Sequence, residues 1–216
     1  MIGAVVAGAG LTAVGAGTFA SFSASTTNAS TFATGSLVLS NQKNAATACL
    51  STGGGSTDTN ANTCDQLFAL TVKKPGESAT VDLTLRNEGS INASALAAFA
   101  SSACAASDAA GEAHHGTGNP CNVVDVYVQE FSDSGRTTAS TCHYGGGTAT
   151  TCAFSATKTL ASFAAAHPNA GGALALGATS AGTTRYFRIG LQMESSAGND
   201  MQGRQASFGF TWQLVQ

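Results

Sequence analysis

Apolar and polar residues alternate with period two over much of this chain. Val81, Leu83 and Leu85 alternate with Asp82, Thr84 and Arg86, and the run stops at Asn87-Glu88-Gly89. Val124, Val126 and Val128 repeat the pattern, as do Phe187, Ile189, Leu191 and Met193 against Arg188, Gly190 and Gln192. The last run sets Phe208, Phe210, Trp212 and Leu214 on one face, with Gly209, Thr211 and Gln213 on the other. Side chains on a strand point alternately to opposite faces, so each run predicts a half-buried strand. Shorter runs at Ser36-Leu37-Val38-Leu39 and at Phe68, Leu70 and Val72 are read the same way, the second ending in the turn Lys74-Pro75-Gly76-Glu77. Helix is predicted only for Ala93–Ala106 and Leu160–Ala166, both short and Ala-rich. Many strands separated by turns, without internal repeat or linker, predict one all-β sandwich domain. Its expected interior is Val81, Leu83, Leu85, Phe187, Ile189, Leu191, Phe208, Phe210 and Trp212.

Composition narrows the function classes. Charged residues are 10% of the 216, against about 25% in ordinary globular domains. Nine Lys+Arg and 12 Asp+Glu leave a net charge of −3. That balance lacks the basic stripe a nucleic-acid binder needs to displace counterions. It also lacks the high net charge and low hydrophobicity of a disordered chain. The first twenty residues, MIGAVVAGAGLTAVGAGTFA, are apolar, rich in Gly and Ala, and uncharged; Lys43 is the first basic residue. They read as the hydrophobic segment of an export signal, with cleavage expected after Ala20, although the basic n-region is missing. A membrane-spanning helix is the alternative: the length suffices, but so many glycines make insertion weak.

The six cysteines, Cys49, Cys64, Cys104, Cys121, Cys142 and Cys152, contain no C-x-x-C pair, so no zinc ribbon or thioredoxin-type motif is present. An even count in a charge-poor chain points to disulfides and an oxidising compartment. Sequence cannot choose among the connectivities. The simplest is nearest-neighbour pairing, because Cys49–Cys64, Cys104–Cys121 and Cys142–Cys152 each bracket a loop rich in small polar residues.

Motifs for catalysis are sparse. H-E-x-x-H is absent, and so is the G-x-S-x-G elbow. His114, His115, His143 and His167 all fall in predicted loops or helix ends. Glu112, His114 and His115 form the one local set with metal-ligand chemistry, and an exposed polar loop is the preferred reading of them. Gly8-Ala9-Gly10 and Gly15-Ala16-Gly17 lack the surrounding βαβ unit of a dinucleotide loop. Gly53-Gly54-Gly55 and Gly145-Gly146-Gly147 lack the Lys-Ser/Thr of a P-loop. The Phe208/Phe210/Trp212 stripe has the spacing of core packing rather than of a ligand platform. Asn28-Ala29-Ser30 and Asn92-Ala93-Ser94 fit the glycosylation acceptor pattern, which arises readily by chance in a Ser/Thr-rich chain.

Several segments, taken together, are more specific. Residues 15–23, GAGTFASFS, resemble the cleavage region of the TasA/camelysin family, and NASTFATGSLVL (28–39) is similar to its N-x-x-T-F-x-[AT]-G-[ST]-L-x-L segment. Lys74-Pro75-Gly76-Glu77 and Asn87-Glu88-Gly89-Ser90 resemble its K-P-G-[DE] turn and N-x-G-S strand end. Asn199-Asp200-Met201-Gln202-Gly203, followed by the Phe208–Trp212 strand, resembles its closing N-x-[YM]-Q-G segment. The cysteine-bearing loops between these blocks have no counterpart there.

The resemblance implies a jelly-roll-like β-sandwich over residues 35–216, with short helices in its connections and an extended N-terminal arm. It implies an exported structural subunit, not an enzyme, that polymerises head-to-tail into extracellular filaments of a biofilm matrix. The expected partners are identical subunits and accessory fibre subunits. The membrane is met only during export, and neither nucleic acid nor a cofactor is expected. In such fibres the N-terminal segment of one subunit completes the sheet of the next. Residues 21–34 are then the candidate donor strand, with Phe22, Ala24 and Phe32 as anchors; if residues 1–20 are retained, Val5, Leu11 or Val14 take that part. Some camelysin-like proteins have been classed as metallopeptidases, and that alternative assigns Glu112, His114 and His115 as ligands.

Overall fold

A computed structural model of the chain describes residues 34–54, 63–68 and 74–216. The folded unit is Gly35–Gln216. Among the described residues its strands are β1 (Leu39–Lys43), β2 (Cys49–Leu50), β3 (Ser78–Asn87), β4 (Ala93–Ala100), β5 (Ala105–Asp108), β6 (Val124–Phe131), β7 (Ala139–Tyr144), β8 (Gly146–Gly147), β9 (Cys152–Ala153), β10 (Leu174–Thr179), β11 (Thr184–Met193), β12 (Arg204–Ser207) and β13 (Phe210–Val215). One α-helix, α1 (Leu160–Ala166), lies among them. The strands form a six-stranded sheet in the order β2-β1-β3-β11-β6-β7 and a three-stranded sheet in the order β10-β4-β13. Two small ribbons, β12-β5 and β8-β9, complete the set. All pairings are antiparallel. The expected all-β sandwich is therefore the observed architecture.

Period-two alternation builds the core. Leu83, Leu85, Val126, Val128, Phe187 and Ile189 of the larger sheet pack with Leu96, Ala98, Ala100, Leu176 and Trp212 of the smaller one. The Phe187 and Trp212 rings meet across the layer at 6.1 Å. Val81, Leu83, Leu85, Phe187, Ile189 and Trp212 are buried as expected, while Leu191, Phe208 and Phe210 are half-buried and packed against the same cluster. At about 25 cal/mol per Å² of apolar area removed from water, such a layer is the dominant favourable contribution to folding.

Helix α1 closes one end of the core. The Thr159 hydroxyl accepts the Ser162 N–H and caps its first turn. Leu160 and Phe163, three residues apart, share the buried face. Phe163 meets Tyr144, Phe208 and Phe210 at 5.0, 5.8 and 5.1 Å.

The other expected helix, Ala93–Ala106, is not a helix. Its residues form β4 and the start of β5. Strand β4 is the centre of the three-stranded sheet, between β10 and β13. Leu96, Ala97, Ala98 and Ala100 are all buried there. A central strand that is apolar on both faces shows no alternation, and tertiary pairing overrides the helix propensity of Ala. Residues Ser36 to Val38 also depart from expectation. They precede β1, and Ser36 and Val38 accept N–H groups from Ser90 and Glu88.

Two of the segments that carry the family resemblance touch each other, residues 36–38 meeting residues 88–90. Asn87 is fully buried; its Nδ2 donates to the Ile91 and Thr179 carbonyls at 2.9 and 3.2 Å, and its Oδ1 accepts the Gly89 N–H at 3.0 Å. A Cβ on Gly89 would lie 2.1 Å from the Ser36 carbonyl oxygen, so only glycine admits that approach. Pro75 and Gly76 form the turn before β3, closed by the Glu77 N–H to the Lys74 carbonyl. Asn199–Met201 is a 3-10 turn, and the loop 109–118 bonds to the stretch that includes it through Gly118 N to Asp200 O, Gly116 N to Gln202 O and Ala109 N to Gly203 O.

All three expected disulfides are present. Cys49–Cys64, Cys104–Cys121 and Cys142–Cys152 have Cα separations of 5.8, 5.9 and 5.0 Å. They fit an oxidising compartment.

Candidate functional site

A sandwich of two open sheets has edges, and an edge strand presents unpaired N–H and C=O groups. Here most edges are covered. Strand β7 has its Cys142 N–H bonded to the Ala149 carbonyl at 2.8 Å. Strand β10 is irregular in register, has Gly177 at φ +98, and its Leu176 carbonyl accepts Arg185 Nη2 at 2.6 Å. Strand β1 is flanked by β2 at Ser40 and Asn41.

Strand β13 differs. It pairs with β4 from Phe210↔Ala100 to Val215↔Ala95. The Ser101 N–H donates to the Gly209 carbonyl, whereas the Ala100 N–H turns away from β13 to His167. Antiparallel pairs alternate, so Thr211, Gln213 and Val215 bond toward β4. Phe210, Trp212 and Leu214 then turn their N–H and C=O groups to the outer edge. Among the described residues these groups have no hydrogen-bond partner. Their side chains point inward, where Phe210 and Leu214 are half-buried beside Trp212. The arrangement offers backbone hydrogen bonds along the edge and apolar contacts just inside it, which together suit an added strand.

A buried ionic group ties the two sheets together. Glu130 of β6 accepts Arg185 Nε at 2.7 Å, Arg185 Nη2 at 2.6 Å and His143 Nε2 at 2.7 Å. The three side chains are 14%, 12% and 9% exposed. Burial works to raise the Glu130 pKa, but hydrogen bonds from His143 and Arg185 and the Arg185 charge outweigh it and hold the carboxyl below its usual range. Arg185 also reaches Leu176 on β10 of the opposite sheet. His143 therefore sits in strand β7, not in a loop as its sequence context predicts.

The sequence-predicted site residues fall in three places. Phe22, Ala24 and Phe32 lie outside the described residues, as do Val5, Leu11 and Val14. The cysteines are paired as above. Glu112, His114 and His115 lie in the loop between β5 and β6. There His115 Nδ1 is 2.8 Å from the Gly203 carbonyl and 3.9 Å from the Asp108 carboxylate, which also takes Arg204. Among the described residues no three His, Cys, Asp or Glu side chains converge as a metal centre. Sequence reasoning missed Glu130, Arg185 and His143, whose contacts span 13 to 55 residues.

Compared with known proteins, the chain matches no family model and no curated protein.

Proposed function

We propose that this chain is an exported, non-enzymatic fibre subunit of the TasA type, which polymerises head-to-tail by strand addition into extracellular filaments. The observation that carries this reading is the outer edge of β13, where the backbone groups of Phe210, Trp212 and Leu214 have no partner among the described residues. The occupant we assign is the arm 21–34 of a second copy. An extended Ser/Thr-rich segment satisfies backbone groups in any sequence, while Phe22, Ala24 and Phe32 seat beside the core and set register. A contact between two different surfaces of the same chain does not close on itself, so its product is a filament. The bonds that the described residues make along β7, β10 and β1 support the same reading. The three disulfides and the apolar segment 1–20 support export, with the segment tethering the arm until it is cleaved. The resemblance adds the jelly-roll topology and the biofilm-matrix setting.

Deletion of residues 21–34 from the secreted form tests the reading. The expected product is a folded, disulfide-bonded monomer that forms no filaments by electron microscopy. Filaments of normal morphology from the deletion variant would overturn donor-strand assembly.

A further inference from the structure

Strand β6 carries a second buried carboxylate, which the assembly reading does not use. Asp125 is 4% exposed, and its Oδ1 has no hydrogen-bond partner among the described residues. The core face of β6 is Val124, Val126 and Val128, so Asp125 projects from the opposite face with Tyr127. Segment 158–159 flanks it on one side, through the Asp125↔Thr159 bridge and the Val126 N–H to the Lys158 carbonyl at 2.7 Å. On the other side its ladder partner is Gln192 of β11. Two residues further on the same face stands Glu194, the diagonal neighbour of Asp125.

A buried, unpartnered carboxylate beside a second carboxylate requires a physical explanation. Among the described residues no cation supplies one. Lys158 is the nearest in sequence to the bridge, and its Nζ sits 5.0 Å from the centroid of the Tyr144 ring. Burial first, and the Glu194 charge second, push the Asp125 pKa up to about 6. At neutral pH the group is therefore mostly ionised while buried. Neutral oxygens belong to the neighbouring residues. Gln192, the ladder partner of Asp125, commits its amide nitrogen to the Gly76 carbonyl at 3.2 Å, and its amide oxygen accepts no hydrogen bond among the described residues. The Ser196 hydroxyl lies 3.1 Å from Glu194 Oε2. No nitrogen or sulfur ligand belongs to this set.

We infer that Asp125 and Glu194, with Gln192 and Ser196, form a binding site for a hard divalent cation of the calcium type. Two carboxylates, an amide oxygen, a hydroxyl and water are a donor set that calcium accepts and that zinc or copper does not favour. The ion supplies the positive charge that the buried Asp125 lacks. It also joins the 194–198 turn after β11 to the face of β6.

The test uses the whole secreted chain, stripped with a chelator and titrated with calcium chloride or with terbium. Tyr127, two residues from Asp125 on the same face, is placed to sensitise terbium emission. Calcium is expected to raise the melting midpoint by several degrees near neutral pH, and terbium emission is expected to appear and be displaced by calcium. Asp125→Asn should lose both responses, while its chelated form melts at or above the wild-type midpoint. Wild-type protein with no calcium shift and no sensitised emission overturns the site, as does an Asp125→Asn variant that responds like wild type. Should that variant fail to fold, Glu194→Gln at the half-buried partner carboxylate decides in its place: loss of both responses in a folded variant supports the site, and a wild-type response overturns it.

Discussion

Arg185 holds Glu130 with two donors, Nε to Oε1 at 2.7 Å and Nη2 to Oε2 at 2.6 Å, and through the same guanidinium reaches the Leu176 carbonyl of the facing sheet. The pair thus adds a charged link between layers that also meet through apolar contacts and the Asn87–Thr179 hydrogen bond. Removing one member leaves the other charged and buried. Arg185→Ala is expected to destabilise the fold by about 3–5 kcal/mol in chemical denaturation. The Glu130→Gln/Arg185→Met double variant should recover much of that loss, because it removes both charges together.

The same pair sets a pH dependence. The folded-state pKa of Glu130 is below its ordinary value of 4.5. Its stabilising contribution is therefore complete above the unfolded value and is lost as the pH falls through the folded one. Denaturation midpoints measured from neutral pH down to about pH 3 should fall more steeply for wild type than for Glu130→Gln. Parallel curves would remove Glu130 as a contributor to acid unfolding.

Phe163 tests the core. It is fully buried and meets Tyr144, Phe208 and Phe210 at 5.0, 5.8 and 5.1 Å. Phe163→Ala should cost about 3–5 kcal/mol, by lost transfer energy plus the cavity left between α1 and the sheets. A loss below about 1 kcal/mol would mean that the helix merely lies on a core complete without it.

The alternating runs made β3, β6, β11 and β13 legible, because each has one face on Leu83, Val126, Phe187 or Trp212 and the other turned away from it. Ala-rich composition made α1 legible, and the Thr159 cap and the buried Leu160/Phe163 face are what hold it as a helix in the fold. Strand β4 was not legible, since a central strand built of Ala has no polar face to reveal its period. The cysteine pairs followed from the loops they bracket. What escaped is what strand order decides. Glu130 meets Arg185 across 55 residues, and Asp125 is flanked by residues 158–159. That Phe208, Phe210, Trp212 and Leu214 share one face is written in the sequence. That the outer groups of β13 lack a partner among the described residues depends on which strand lies beside it.

The Cys104–Cys121 disulfide closes a loop with a sequence separation of 17, and Cys121 is 1% exposed within the 3-10 turn Pro120–Asn122, which lies against α1. In the chain-entropy view a loop near this length contributes about 3 kcal/mol by restricting the unfolded state. Replacing both cysteines by alanine should lower the denaturation free energy by about that amount while leaving the strand content of the circular dichroism spectrum unchanged. The Cys142–Cys152 pair closes a shorter loop, with a separation of 10, so its loss should cost less.

The open edge of β13 yields a prediction that separates its two faces. Leu214 points inward and is half-buried next to Trp212, while Gln213 points to the other face and is exposed. A lysine at 214 places a charge among the apolar contacts that an incoming strand would share, the device by which natural sheets block unwanted pairing. A lysine at 213 adds the same charge to the same strand but leaves those contacts intact. Leu214→Lys should therefore remain monomeric at concentrations where wild type polymerises. The loss of an apolar anchor worth about 2 kcal/mol raises the critical concentration roughly thirtyfold. Gln213→Lys should assemble within a few-fold of wild type. Light scattering against concentration measures both, and a thermal melt of each monomer shows whether Leu214→Lys has kept its fold. Equal assembly by two folded variants would place the intersubunit contact somewhere other than β13. Selective loss in Leu214→Lys, restored by no change in salt, would mark the contact as apolar burial at this edge rather than charge repulsion along the filament.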